Sequence, residues 1–575
     1  MNSSRPAITR TLVTATAIAL GVAGCSGGSG SGSTAASPSA PAKATAADIN
    51  ATPREQLRDG GTFTWPLAAL PPNYNYYELD GTEYDTWNVL MAILPMAYDN
   101  DAASTPLWDR ALLASEPVLK TEPQQVVTYE INPLAVWSDG TPITWEDFHW
   151  QWKALTGENK AYKVATTTGY ANIEKVERGK DDREVIVTYK IPFADWQNIF
   201  SPLLPAVLNK DPKSFNEAWQ ERPLLSGGPF KFDHIDRTTQ TITLVRNEKW
   251  WGDRARLDRV VFRIIDPSAQ VDALANGEID AMDIGADANQ YLRAKGIAGV
   301  QIRSAGGPNF RHLDMNGTSK MLSDVRVRRA LAMAIDRGAI VRALLGPLGL
   351  STEPLNNHIF MGNQEGYRDN SGEVGTYDPA KAAALLDEAG WKLDGGKRSK
   401  DGQTLILKGV IPAGVAPARQ ELELVQNMLG QVGVSLEILT APSNDFFDKY
   451  VTPGQFDFVL FSWMGTPYPV TSARSIYAKP TVDASGHLQI QQNYARIGSD
   501  ELDQLFDRAS QELDRAKAEA TMNEADAMIW NLVHSLTLYQ RPELIACKAG
   551  LANFGAHGFM LPWRYEDIGW LAATP

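Results

Sequence analysis

Seven histidines and two cysteines are the residues of this chain best suited to bind a metal or attack a carbonyl, and their spacing argues against both uses. The histidines stand at positions 149, 234, 312, 358, 487, 534 and 557, and no two are one to four residues apart. None therefore forms the close pair from which a metal site is usually built. Cys25 and Cys547 are far apart in sequence and offer no Cys-x-x-Cys ligand pair. "GCSGG", residues 24–28, fits the G-x-S-x-G pattern of serine hydrolases. That pattern needs a strand before the serine and a helix after it, and here it lies in small-residue sequence. Neither a Walker A loop nor a dinucleotide G-x-G-x-x-G occurs. Carboxylate groups such as "WEDF" (145–148) and "DIGADAN" (283–289) read as solvated acidic faces. A Ser-His-Asp set assembled from distant residues stays open, with nothing pointing to it. No cofactor and no metal are expected.

Cys25 has a different chemistry available. Arg5 and Arg10 precede an uncharged run of apolar and small residues that is too short to span a bilayer as a helix, so residues 1–24 read as a secretory leader. Val22, Ala23 and Gly24 before Cys25 resemble the bacterial lipobox. That likeness implies cleavage before Cys25 and acylation of its thiol and amine. Residues 26–47 are almost wholly Gly, Ser, Ala, Thr and Pro, which cannot bury enough apolar surface to order themselves. Such a coil spans roughly 25 Å. Once Cys25 is lipidated, Cys547 has no disulfide partner, and stability must come from packing.

About 525 residues remain, with 16 tryptophans in a chain that is 43% hydrophobic, which is enough for two or three domains with substantial cores. Losing Arg5 and Arg10 with the leader takes the formal charge from −14 to −16. An acidic body disfavours nucleic acid and anionic lipid as partners. No later run approaches a membrane span, so the lipid would be the only membrane anchor.

The elements that must position any site are an α/β mixture. Alternation predicts strands in "QVVTYEI" (125–131), "REVIVTYKI" (183–191) and "QTITLVRN" (240–247). In "YDPAKAAALLDEAGW" (377–391) Asp378 is the N-cap, Pro379 opens the helix and Gly390 closes it. In residues 323–346, Val327, Leu331, Ala334, Ile335, Leu344 and Leu345 make an apolar stripe with arginines on the other face. The stretch from Ser499 to Val533 reads as two helices. "SDGTP" (138–142) is a turn, after which Thr144 caps a helix with Asp147 as a capping-box partner. "GGPF" (227–230) lets backbone pass close to another element.

Six segments, in order over about 400 residues, resemble the family 5 extracytoplasmic solute-binding proteins of bacterial ABC importers, the oligopeptide- and dipeptide-binding type. They are "VWSDGTPITWEDFHW" (136–150), "SGGPFKFDHIDRTTQTITLVRNEKWWG" (226–252), "LDMNGTSKMLSDVRVRRALAMAIDRGAIV" (313–341), "YDPAKAAALLDEAGW", "GQFDFVLFSWMG" (454–465) and "NYARIGSDELDQLFDRA" (493–509). The resemblance implies an α/β periplasmic-binding fold of type II character, with two lobes joined by a hinge and an extra domain on the first lobe. Mapped onto this chain, the lipidated Cys and linker occupy 25–54, lobe I 55–96, 224–308 and 535–575, the extra domain 97–223, and lobe II 309–534.

The same resemblance places ligand contacts in three loops and at the crossing into lobe II. They are Tyr74, Asn75 and Tyr76 after the opening strand, Phe310 at the crossing, Asn356, Asn357 and His358 in lobe II, and Trp463, Gly465, Thr466, Tyr468 and Arg474 in "FSWMGTPYPVTSARSIY" (461–477). In many peptide-binding relatives an aspartate three residues after the tryptophan holds the peptide ammonium, and Thr466 stands there instead. Loss of that bond forgoes roughly 1.5 to 3 kcal/mol, so a peptide whose amine is held elsewhere, an oligosaccharide and a nickel chelate all stay open. The implied function is a monomeric, lipid-anchored receptor on the outer face of the cell membrane that delivers oligopeptides to ABC permease subunits. The other classes are a tethered secreted hydrolase, which would turn substrate over, and a scaffold or adhesin, which would neither bind nor close.

Overall fold

Two long strands, Val300–Met315 and Ser535–Lys548, pair antiparallel along most of their length. A computed structural model describes residues 47–572 apart from 286, 414, 443–444 and 561–563. The leader, Cys25 and nearly all of the small-residue tether lie outside the described residues. Ala305, Ile545 and Cys547 of the pair enter a first hydrophobic core; Leu313, Met315, Leu536, Leu538, Leu544 and Ala546 enter a second, so that beside Ile545 and Cys547 the alternate residues of the same strand face the other core. The register shifts between Gly306 and Phe310. Gly307 is obligatory there, since a Cβ would lie 2.8 Å from the carbonyl oxygen of Arg541. A Gly-Gly-Pro break in a strand is where pairing loosens and the strand can bend.

The two strands lie in a six-stranded sheet ordered Ala281–Asp283, Ser535–Lys548, Val300–Met315, Phe458–Met464, Ile406–Pro412, Ser435–Ala441. The last three run parallel, and helix Ala416–Gln431 crosses over between Ile406–Pro412 and Ser435–Ala441. A second sheet orders Thr62–Leu67, Arg259–Ile264, Thr241–Arg246 and Phe230–Asp236. A third orders Val118–Lys120, Val126–Glu130, Glu184–Tyr189 and Ile173–Arg178. The apolar residues of these two smaller sheets share the first core. Gly228 lets the second sheet approach residues 92–93, with a Cβ there 2.9 Å from the carbonyl carbon of Ile93.

The segment leading into the fold is pinned to the far end of the chain. Asp48 and Ala556 exchange backbone hydrogen bonds of 2.7 and 3.0 Å, and Asn553 receives the Thr52 N–H while donating to the Thr52 carbonyl. Leu57 bridges to Leu571.

Local sequence logic holds at several caps. Thr144 and Asp147 form the capping box of helix Trp145–Leu155. Asp378 accepts from the Lys381 N–H at the start of Pro379–Glu388, and Gly390 takes the left-handed conformation just past its end. Ser499 and Asp514 cap Asp500–Gln511 and Arg515–Leu532. The apolar stripe of 323–346 breaks into two helices, Val325–Ala334 and Arg337–Leu345, because Asp336 caps the second through the Ala339 N–H. Two of its arginines turn inward. Arg328 donates to the carbonyls of Leu322, Leu532 and Val533, and Arg337 to those of Leu355, Gly375 and Thr537. Leu532 ends its helix, and its carbonyl has no intrahelical donor. Supplying that donor brings Arg328 inside, and burial lowers both guanidinium groups to about 10.

One ionic cluster ties the long strands to the crossover helix. Arg311, Glu421 and Tyr539 are all buried. Arg311 donates from Nε, at 3.1 Å, and from Nη2 to the two oxygens of Glu421, and the Tyr539 hydroxyl donates to Glu421 Oε1. Removing one member leaves a buried charge without its counter-ion. Glu421→Ala is expected to lose about 3–5 kcal/mol of unfolding free energy in urea melts, and Arg311→Met with Glu421→Leu much less. Equal losses in the single and double variants would show that the cluster is not a coupled unit.

Candidate functional site

Strand Phe458–Met464 runs antiparallel to Val300–Met315, so Trp463 lies opposite Phe310 and Phe461 opposite His312. Beyond its end the Gly465 N–H donates to the Pro308 carbonyl at 2.9 Å, and a Cβ on Gly465 would fall 2.5 Å from that oxygen. Glycine is the residue that lets this turn close against the break in the long strand. Phe310 is buried among Leu355, Met361 and Phe559, with Trp463 partly buried against them.

An aromatic shelf results. The Trp463 ring lies parallel to Tyr494, at 2° and 5.7 Å between centroids, and near-parallel to His312, at 14° and 5.9 Å. Phe461 meets His312 edge-on at 4.3 Å. Trp463 and Tyr494 are half-buried, while Met464 is 63% and Phe447 41% exposed. Large apolar side chains left open beside polar ones are what a small-molecule or peptide site presents. Thr466 follows directly. Its hydroxyl accepts from the Tyr468 N–H, and its carbonyl from Gln364 Nε2 at 3.0 Å.

The other expected residues sit elsewhere. Tyr74 and Asn75 are buried in the first core region, where Asn75 donates to the Phe215 carbonyl and accepts from the Tyr77 N–H. Tyr76 is half-buried, its ring 4.9 Å from Trp87. Asn356 donates to Asp369, and Asn357 holds the N–H groups of Ile359 and Phe360. His358 is buried, with Nδ1 2.8 Å from Asp526 Oδ1 and Nε2 3.2 Å from the Ser535 carbonyl. Arg474 pairs with Asp507 on the surface. Phe310, Trp463 and Gly465 thus meet at the strand break with Thr466 following, Tyr468 lies in a crevice with Asp195 and Arg515, and the 74–76 and 356–358 groups direct their polar atoms to internal partners.

Residues not singled out in the sequence complete the picture. His312 and Asp314 share with Phe310 one face of "NFRHLDM", and the period of two in that strand is the signal that finds them. Close to Tyr468, the segment after strand Glu184–Tyr189 reaches the second half of the molecule. Asp195 accepts from both the N–H and the hydroxyl of Thr471, at 2.9 and 2.8 Å, and the Ala194 N–H donates to the Ser510 carbonyl at 2.8 Å. Gln364 donates to the Ser104 hydroxyl at 3.1 Å, and Arg515 to the Ser104 carbonyl at 3.3 Å. Pro106, Trp196, Phe360, Pro467 and Val470 line the crevice between these segments. In the strand Ser535–Lys548, burial and then Asp283 push the Glu543 carboxyl up to about 8.

Among the described residues no three His, Cys, Asp or Glu side chains converge as a metal site, and no helix is long and apolar enough to cross a membrane.

The sequence profile of bacterial extracellular solute-binding proteins, family 5 (middle region), matches residues 110–484. An oligopeptide-binding protein, OppA, of Mycobacterium tuberculosis is 38% identical over 531 residues, covering 92% of this chain and 88% of its own. Among solved structures, a periplasmic EDTA-binding protein, EppA, superposes with a TM-score of 0.82 at 27% identity, over 92% of this chain and 98% of that one. The oligopeptide-binding protein AppA of Bacillus subtilis, in complex with a nonapeptide, shares the fold with a TM-score of 0.71 at 21% identity, over 90% and 100%.

Burial raises the Asp195 carboxyl to about 6; the Thr471 bonds and Arg515 oppose the shift and Glu519 adds to it. An ordinary aspartate titrates near ~3.9. The folded protein therefore holds this proton more tightly than the unfolded chain, and the carboxyl's contribution to stability falls as pH rises from about 4 to about 6. Relative to wild type, Asp195→Asn should gain up to ~3 kcal/mol across that interval and then run flat above pH 7. Urea melts at pH 4.5 and 7 check this, and a pH-independent difference would rule it out.

Proposed function

Since the chain belongs to the family 5 bacterial extracellular solute-binding proteins, we propose that it captures an oligopeptide between two lobes and delivers it to an ABC importer. It is an extracytoplasmic substrate receptor and not an enzyme. The observation that carries the peptide reading is the 38% identity to an oligopeptide-binding protein over nearly the whole chain. The geometry supports it. Lobe I is assigned to 55–96, 224–308 and 535–575, the extra domain to 97–223 and lobe II to 309–534, with the paired long strands as the hinge. Two separate hydrophobic cores, both lined by those strands, favour that division.

In this reading a peptide lies along the aromatic shelf near Gly465 and Thr466, bonded largely through its main chain, with water filling roomy side-chain pockets. Phe310, Trp463, Gly465, Thr466 and Tyr468 build the lobe II wall; Asn356 to His358 hold a supporting loop of lobe II in shape, and Tyr74 to Tyr76 one of lobe I. Closure is favoured only by contacts better made in the closed form, and the Asp195–Thr471 bonds are of that kind. Acylated Cys25 and the tether behind it keep the monomeric receptor beside its permease, where tethering raises effective concentration. A second reading, a metal chelate as ligand, is favoured by the likeness to the EDTA-binding protein at 27% identity.

Native mass spectrometry of residues 26–575, before and after mild denaturation, separates the two. The expected result is release of a heterogeneous set of short peptides. A single chelate or sugar would overturn the peptide reading and keep the receptor; steady turnover of an added substrate would overturn the receptor itself.

A further inference from the structure

The ladder of the two long strands lapses at Gly306, opposite Pro542, which has no N–H to give. It resumes at Phe310, opposite Gln540. A buried carbonyl without a donor is costly, so the break has to find donors of its own. Three successive carbonyls there are each held from outside the backbone ladder. Asn363 Nδ2 donates to that of Gly306 at 3.1 Å, Gln540 Nε2 to that of Gly307 at 2.7 Å, and the Gly465 N–H to that of Pro308 at 2.9 Å.

The two amides also hold each other. Gln540 Nε2 gives its second hydrogen to Asn363 Oδ1 at 2.7 Å, and Gln540 Oε1 accepts the Gly362 N–H at 3.0 Å. Asn363 Nδ2 gives its second hydrogen to the Ala102 carbonyl at 3.2 Å. Every donor of both side chains is used, and turning either amide over would set oxygen against oxygen. Gly558 keeps room for them, since a Cβ there would fall 3.0 Å from Asn363 Nδ2. The next residue extends the link. Gln364 is buried; it donates to the Ser104 hydroxyl at 3.1 Å and to the Thr466 carbonyl at 3.0 Å, and it accepts the Met361 N–H at 2.8 Å. Residues 361–364 therefore bond at once to the strand break, to the segment 102–104 and to the turn that follows the aromatic shelf.

We infer that Asn363 and Gln540 clamp the hinge and that Gln364 links this clamp to the ligand wall, so that filling the wall at Thr466 and setting the angle at Gly306 to Pro308 are one event. The inference rests on the two-lobe receptor reading. All three are positioning residues and act without touching the ligand. A strand broken by Gly-Gly-Pro has many angles open to it, and two amides satisfied in a single arrangement select one. With the clamp gone, fewer molecules stand ready to receive ligand, and the apparent affinity falls by that fraction.

The test uses residues 26–575 with dyes on Lys160→Cys and Glu501→Cys, two exposed positions assigned to the extra domain and to lobe II. Cys547 is buried and stays unlabelled. Single-molecule energy transfer is read on protein stripped of co-purified ligand, and then through a titration with a tryptic digest of casein as a mixed peptide probe. Wild type should show one narrow distance when empty and move to a second as the digest is added. Asn363→Leu and Gln540→Met, near-isosteres without the amide, should each widen the empty distribution about twofold and raise the half-point of the titration about tenfold. Gln364→Met should raise the half-point and leave the width alone, a split that a general loss of packing does not produce. Asn363→Ser and Gln540→Asn, which shorten the arms, serve if the first variants do not fold. Wild-type behaviour in the clamp variants overturns the clamp and leaves the receptor reading standing, and equal widening in all three overturns the separate link through Gln364. No movement of wild type with the digest overturns closure between lobes and the inference with it.

Discussion

Everything in this molecule hangs on one antiparallel pairing, that of residues 300–315 with 535–548. These strands contribute side chains to both hydrophobic cores, so each core is completed by a segment that the other also holds. A pair of long strands resists sliding, because a one-residue slip would turn every buried side chain to the wrong face. It resists bending much less where Gly306, Gly307 and Pro308 interrupt the ladder. That interruption is where the proposed hinge between the lobes would bend. The bond from Gly465 to Pro308 places the candidate ligand wall at that flexible point.

Local features were readable from residue types. Caps at Thr144, Asp378 and Ser499, the close approach at Gly228 and the strand at 126–130 follow from short-range sterics and hydrogen bonding. The family resemblance rested on such segments, and the fold came with it. Long-range choices were not readable. Nothing in "VRVRRAL" distinguishes the arginine that stays in solvent from Arg328, which turns inward to carbonyls two hundred residues away. His358 looks like a ligand contact in a polar loop, yet Asp526, far along the chain, claims its ring. Conversely the period of two in "NFRHLDM" puts His312 on one face with Phe310, but only the register against Phe458–Met464 sets it against Trp463.

Buried carboxylates recur where large pieces of the molecule meet. Glu421 is satisfied by Arg311 and Tyr539 and works as a structural tie. Asp195 is satisfied by Thr471 alone and is held with a raised pKa. The first is a permanent joint; the second suits a contact that forms on closure in the reading proposed here.

The bonds of Asp48 with Ala556, and of Thr52 with Asn553, have a mechanical consequence. A pull applied ahead of residue 48 is resisted by hydrogen bonds loaded in shear against the C-terminal segment, and it passes directly into the first core. The second core lies off this load path. Whatever holds the chain from its leading side therefore fixes the half of the molecule that bears both ends of the described chain. In the two-lobe reading proposed above, the other half is then the one left to swing without dragging on its mooring.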